Sequence, residues 1–175
     1  MDKKSATLND DEVSLIIPTL GKIDFSNFRS LIYNLINNDL INIQSYEIII
    51  FFNQKNKNLF YKKLKKEYSL DNKIKIIHEP SLGIVKALNK GINTAKYNFI
   101  ARQDDDDISY PLRVKKTLCF LKKNDYSIVF SKCKIVKNGK VSLWGKQIIN
   151  PLRIQLLFYN PFVHATMVIN KEALK

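Results

Sequence analysis

The chain has 175 residues, enough for one domain with a substantial core. Hydrophobic residues make up 45% of it and charged residues 26%, with five glycines and five prolines, which excludes a long disordered linker. Lys+Arg number 29 against 16 Asp+Glu, a net charge of +13 that fits nucleic acid, an anionic membrane surface or phosphorylated substrate, or plain lysine bias in a chain also rich in Asn and Ile.

The start, MDKKSATLNDDE, is polar and lacks the apolar centre of a signal peptide, so residues 1–12 read as a lead-in. Val13–Pro18 is an apolar run stopped by proline, hence a buried strand, with Thr19-Leu20-Gly21 as its loop. Phe28, Leu31, Ile32, Leu35 and Ile36 form one face of a helix over 25–36. Tyr46–Phe52 is a second buried strand, followed by the loop Asn53-Gln54-Lys55-Asn56. Leu59–Tyr68 is a basic amphipathic helix, either a solvated outer helix or a membrane-surface one. Strand 73–77, helix 82–95, strand 98–101 and helix 111–123 continue the alternation. Strand 127–130 follows, then 134–137 and 140–144 flanking Asn138-Gly139, a type I′ hairpin signal. A short helix over 150–158 and a strand over 163–169 follow, and Lys171 begins an element that this chain does not finish. Strands alternating with helices predict an α/β fold, a mostly parallel sheet covered on both faces.

Cys119 and Cys133 lack metal-ligand spacing and sit in apolar or strand-like surroundings, so they read as buried free thiols. With no apolar run near the ~20 residues of a membrane span, this predicts a cytoplasmic protein. Arg29, Arg102, Arg113 and Arg153 are the only arginines, and no aromatic–basic alternation is evident; both features speak against a nucleic-acid reader. Pro18-Thr19-Leu20-Gly21 matches neither GxGxxG nor GxxxxGK[ST], and GxSxG is missing, which disfavours dinucleotide enzymes, P-loop NTPases and serine hydrolases.

The chemistry concentrates in Tyr97–Arg113, YNFIARQDDDDISYPLR. Four aspartates, Asp104–Asp107, follow a buried strand. Like charges ~4 Å apart repel by about 1 kcal/mol in water and about 4 kcal/mol at an effective dielectric near 20, so solvent, basic partners or a divalent cation must relieve them. Carboxylates are hard ligands suited to Mg²⁺ or Mn²⁺, and open α/β sheets bind ligands at strand carboxyl ends. An extended backbone would put Asp104 and Asp106 on one face. The competing reading is a solvated acidic loop at a helix N-terminus. Ser109 is the expected N-cap of the following helix, with Pro111 in its first turn.

Val13–Thr19, Gly83–Ile92, Ala95–Arg102, Asp104–Ser109 with Pro111 and Arg113, and Asn160–Val168 together resemble the inverting bacterial glycosyltransferases of the GT-A fold, the family 2-like group with capsule and lipopolysaccharide enzymes. The resemblance runs over residues 13–175 and takes the aspartates as a DXD motif. It implies Mg²⁺ or Mn²⁺ on Asp106 and Asp104. It also implies a nucleotide-sugar donor, UDP-type, against Pro18, Thr19, Asn53, Lys86, Asn89, Arg102, Asp104 and His164. It further implies a glycan or lipid-linked acceptor and a place at the inner face of the membrane. His78 reads as structural.

Two departures stand out. The family's second strand ends in Asp-Asp-Gly-Ser where this chain has Phe52-Asn53-Gln54-Lys55; Asn53 can still hydrogen-bond a uracil edge. Family members supply a general base from an Asp or Glu-Asp segment beyond the Asn-Pro…His strand. Here Glu172 is the only carboxylate after Asp125 and falls too early. The expectation is a GT-A domain over 13–175 without the acceptor-binding and base segment, binding nucleotide and metal weakly. The alternatives are an incomplete fragment acting as a nucleotide-binding or scaffold domain, a nucleotidyltransferase with a poor version of the basic glycine loop, and, least favoured, a nucleic-acid binder.

Overall fold

The first apolar run becomes the middle of the sheet, because Val13, Leu15 and Ile17 project to one side and Ile16 to the other, and both sides are covered. A computed structural model describes residues 11–80, 83–145 and 160–174. In chain order these form β1 (Glu12–Thr19), α1 (Phe25–Asn34), β2 (Ser45–Phe52), α2 (Leu59–Tyr68), β3 (Ile74–His78), α3 (Ile84–Thr94) and β4 (Phe99–Arg102). Then come α4 (Arg113–Lys123), β5 (Ile128–Val129), the hairpin β6 (Cys133–Lys137) and β7 (Lys140–Trp144), and β8 (Val168–Asn170). The expected helix over 150–158 lies outside the described residues.

The main sheet has the order β3-β2-β1-β4-β8-β5. β1 pairs with β2 and β4 in parallel, and β2 with β3 in parallel; β8 is antiparallel to both β4 and β5. Residues from α1, α2 and α4 share one core with Ile48, Ile50 and Phe52 of β2. Ala87 of α3 shares the other with Ile49 and Phe51. Gly91 lets α3 lie close on the sheet, since a Cβ there would come within 2.9 Å of Ile16 and 3.1 Å of Phe51.

α2 spans the predicted residues and buries Phe60, Leu64 and Tyr68, so its apolar side is spent on the core while lysines fill its surface. Asn138 and Gly139 take φ of 51° and 72°, as a type I′ turn needs. Three readings change. The first helix runs on into a π-helical turn, Leu35–Asp39, which buries Asp39. The strand expected over 163–169 is a 3₁₀ turn, His164–Thr166, ahead of a short β8. Cys119 is exposed and Cys133 half-buried, and both are free; proximity to apolar sequence did not bury Cys119, because it lies on the outward side of α4. Among the described residues no helix is long and apolar enough to cross a membrane.

A buried carboxylate ties the amino edge together. Glu47 of β2 accepts from Ser14 Oγ at 2.6 Å and from the Lys96 N–H at 2.5 Å, and meets Lys75 Nζ at 2.6 Å. Burial pushes its pKa up, but Lys75, Ser14 and Lys96 outweigh it and hold it below the usual glutamate range. A depressed folded-state pKa stabilises above the unfolded value and is lost as pH falls through the folded one. Glu47→Gln is therefore expected to cost about 1–3 kcal/mol near neutral pH. The gap to wild type should close in thermal melts at a pH below the ordinary glutamate pKa of about 4.3. A gap independent of pH would contradict this role.

Candidate active site

β1, β2 and β4 end at one edge, and their tips are tied to one another. The Asn53 N–H donates to the Thr19 carbonyl at 2.9 Å, and the Gln103 N–H to the Ile16 carbonyl at 3.1 Å. Gly21, at φ +60°, turns the β1 loop over Phe52 and Phe60, where a Cβ would come within 2.7 and 2.9 Å of the rings. The acidic loop hangs from this edge. Its backbone is a turn at Asp105–Asp106, closed by the Asp107 N–H on the Asp104 carbonyl at 3.4 Å, not the extended strand that alternation assumed. The buried Gln103 side chain clasps the turn, its amide donating to the Asp104 and Asp107 carbonyls at 3.0 and 3.2 Å.

The turn gives the four carboxylates different surroundings. Asp104 pairs with Arg102 Nη2 at 2.9 Å and Nε at 3.0 Å. Asp105 points inward and accepts from Thr19 Oγ1 at 2.5 Å. Burial, then the neighbours Asp106 and Asp104, push its pKa up against the pull of Thr19. Desolvation and the same neighbours raise Asp107, opposed by Arg113 and Arg102. Asp106 is exposed.

The loop's far side is anchored by residues that sequence reasoning missed. Ser109 is no N-cap. It is buried and donates to Asp39 Oδ2, while Asp39 Oδ1 accepts the Val114 N–H at 2.7 Å and so caps α4 from another element. Leu112, next to the first turn, is left-handed at φ 60° and is held by its N–H on the Asn38 carbonyl at 3.0 Å. Arg113 joins both halves, with Nε 2.8 Å from Ser109 Oγ and 3.4 Å from Asp39, Nη1 3.4 Å from the Arg102 carbonyl, and Nη2 3.2 Å from Gln103 Oε1. Arg113 belongs to the run that resembles the family, but nothing in its spacing points to Asp39 on a distant helix end.

Of the other expected residues, Pro18 is buried in β1. Asn53 is half-exposed at the β2 tip. Lys86 and Asn89 are exposed on the first half of α3, which starts beyond the β3 tip. Among the described residues neither makes a hydrogen bond or ion pair to the acidic loop. His78 packs beside Phe52 and Tyr61, with ring centroids 5.7 and 5.3 Å away. Because β8 runs antiparallel, the turn that precedes it lies at the β4 tip, where the Arg102 N–H donates to the Met167 carbonyl at 2.9 Å. His164 is exposed in that turn. Asn160 Oδ1 accepts the Phe162 N–H at 2.9 Å, which fixes its amide, so Nδ2 donates to His164 Nε2 at 2.8 Å and leaves the ring proton on Nδ1. Glu172 lies past the other end of β8, beside Lys171, whose N–H reaches the Asn98 carbonyl at 2.7 Å; it is on the edge opposite the acidic loop.

Among the described residues no three His, Cys, Asp or Glu side chains are grouped to hold a metal ion. The donor set nonetheless suits a hard cation, which takes one or two protein carboxylates and completes its shell with phosphate oxygens and water. The loop carries four carboxylates, and burial together with repulsion from their neighbours raises Asp105 and Asp107, with Arg113 and Arg102 opposing the rise at Asp107.

A mostly parallel sheet with helices on both faces and an acidic loop off its fourth strand is the GT-A fold of glycosyltransferases. The chain belongs to Glycosyl transferase family 2, whose family model matches residues 14–173. It is 37% identical to the bifunctional glycosyltransferase pgtA of Dictyostelium discoideum, over 94% of this chain and 22% of that protein. It is 31% identical to the O-antigen biosynthesis glycosyltransferase WbnJ of Escherichia coli, over 74% of this chain and 52% of that protein. The chain thus spans about half or less of these relatives. S. aureus TarS 1–349, crystallised in complex with UDP-GlcNAc, superimposes with a TM-score of 0.66 at 17% identity, over 93% of this chain and 46% of that one, a likeness of fold.

Proposed function

We propose that this chain binds a nucleotide-diphosphate sugar, UDP-type, at the edge formed by the β1, β2 and β4 tips. There it serves metal-dependent, inverting sugar transfer to a glycan or lipid-linked acceptor in surface polysaccharide synthesis. The observation that carries the reading is the clasped acidic turn at the sheet's carboxyl edge in a family 2 chain. TarS, which shares the fold, was crystallised with a UDP-sugar, which supports the choice of donor.

Asp106, with Asp104, would hold Mg²⁺ or Mn²⁺, which when bound neutralises charge on a diphosphate leaving group. The protein's own residues do the rest. Thr19 holds Asp105 inward and so turns Asp106 outward. Asn53 offers its amide to a base edge. Arg102 and Lys86 lend positive charge, and His164 an Nδ1–H, toward phosphate oxygens. Glu172 is on the wrong edge to take the acceptor's proton. Asn53 in place of a carboxylate favours a second reading, a nucleotide-binding domain that does not itself transfer sugar.

Calorimetric titration of UDP with and without Mn²⁺ tests the site. Mn²⁺ is expected to tighten binding at least about tenfold, or 1.4 kcal/mol. Identical isotherms would refute the reading, and release of sugar from UDP-GlcNAc by the purified chain would reject the non-transferring alternative.

A further inference from the structure

The lysine-rich α2, whose sequence reads as a solvated outer helix or a membrane-surface one, buries Phe60, Leu64 and Tyr68 in the core and leaves only Leu59 of its apolar side exposed, and a helix needs a free apolar side to enter a lipid interface. The β6–β7 hairpin is the opposite case. Every residue from Lys134 to Trp144 is exposed. Its cross-strand pairs set Val136 against Val141 and Lys134 against Leu143 on one face. Val136, Val141 and Leu143 are 70%, 61% and 65% exposed, and Trp144 43%. Lys132, Lys134, Lys137 and Lys140 surround them, and between Asp125 and Glu172 the chain has no carboxylate.

The hairpin also stands beside the acidic turn. Lys134 Nζ lies 5.5 Å from the centre of the Tyr110 ring. Tyr110 and Ile108, next along the chain from Asp107, are 58% and 85% exposed. Aliphatic residues, one tryptophan and lysines on a segment that itself carries no carboxylate are what an anionic bilayer interface takes up, the apolar groups entering the acyl boundary and the lysines meeting headgroups.

We propose that the β6–β7 hairpin docks on an anionic phospholipid surface and so presents the edge holding Asp104–Asp107 to acceptors at that surface. The docking rests on the exposed ribbon alone; only its use for lipid-linked acceptors rests on the donor reading above.

Trp144, the sole tryptophan, sits at the base of the ribbon on the face opposite Val136, Val141 and Leu143, and its emission reports whether that end of the hairpin leaves water. With vesicles of phosphatidylcholine containing about a third phosphatidylglycerol, its emission is expected to shift to the blue, and it should not with phosphatidylcholine alone. A lysine near an anionic surface is worth about 1 kcal/mol, or about fivefold in partitioning. Lys134→Gln/Lys137→Gln/Lys140→Gln should therefore weaken vesicle binding by about 100-fold, less for any lysine held off the surface. Val136→Ser/Val141→Ser/Leu143→Ser should abolish the shift, while Lys62→Gln/Lys65→Gln/Lys66→Gln on α2 should bind within about fivefold of wild type. The altered side chains are exposed, and unchanged thermal melts will show that the variants fold.

Binding that survives both hairpin variants, losses as large in the α2 variant, or equal binding to polyglutamate would each overturn the proposal, the last by assigning the ribbon to an acidic protein. UDP titration of the hairpin variants separates the two readings. Lost lipid binding with intact UDP binding supports this one, and vesicle binding by a chain that takes no UDP would leave docking standing while the donor site fails.

Discussion

Arg113→Leu is expected to destabilise the fold by about 3–5 kcal/mol, the cost of stranding one partner of a buried ion pair. Asp39 is fully buried, and Arg113 is the cation beside it, only 10% exposed at the side chain. Burial lowers the guanidinium's pKa while Asp39 and Asp107 hold it up, so the charge persists because those carboxylates face it. Without Arg113, Asp39 keeps only Ser109 and the Val114 N–H, and the Arg102 carbonyl and Gln103 side chain lose a shared donor. For a domain of this size that is a fall in melting temperature of about 10 °C. Arg113→Lys keeps the charge but not the planar fork and should fall between. Asp39→Asn combined with Arg113→Leu should cost less than the sum of the two alone, because neither charge is then left unpaired. A melting temperature for Arg113→Leu within 2 °C of wild type, about 0.5–1 kcal/mol, would show that the pair does not hold the loop.

Asp106→Ala is expected to do the reverse, leaving stability alone and removing the metal effect on UDP binding. The side chain is exposed, and its charge adds to the repulsion on Asp105 and Asp107. Its loss should leave the melting temperature unchanged or slightly higher, while the Mn²⁺-dependent gain in UDP affinity disappears. Asp105→Ala is the contrast. It leaves the buried Thr19 O–H without its acceptor, though the oxygen still takes the Gly21 N–H at 2.9 Å, at a cost of about 1–3 kcal/mol. If Asp105→Ala and not Asp106→Ala abolishes the Mn²⁺ effect, the carboxylates have been assigned the wrong way round.

Much of the fold was legible because hydrophobic periodicity is a local signal. α2 falls on the residues where the pattern put it, strand 45–52 differs from expectation by a residue at one end, and strand 74–78 by a residue at each end. Long-range polar contacts were not legible. Asp39 reads as the polar end of a helix, and only the fold brings it to Ser109 and Val114. Four aspartates in a row announce the acidic loop, yet which one turns inward is decided by the Thr19 hydroxyl and the Gln103 clasp. The apolar run at 163–169 hid a break, because Thr166 Oγ1 turns to the Val163 and Ser131 carbonyls at 2.8 and 2.9 Å, giving the backbone an alternative to a ladder.

The place of β8 bears on how a nascent chain is assembled. It is made after both of its neighbours, yet it slots between β4 and β5. Until residues 168–170 arrive, β4 shows a bare row of amide and carbonyl groups and β5 has no neighbour in the sheet. Such an open flank invites pairing with other polypeptides, so stalled products that stop short of Val168 are expected to aggregate more readily than products that include it.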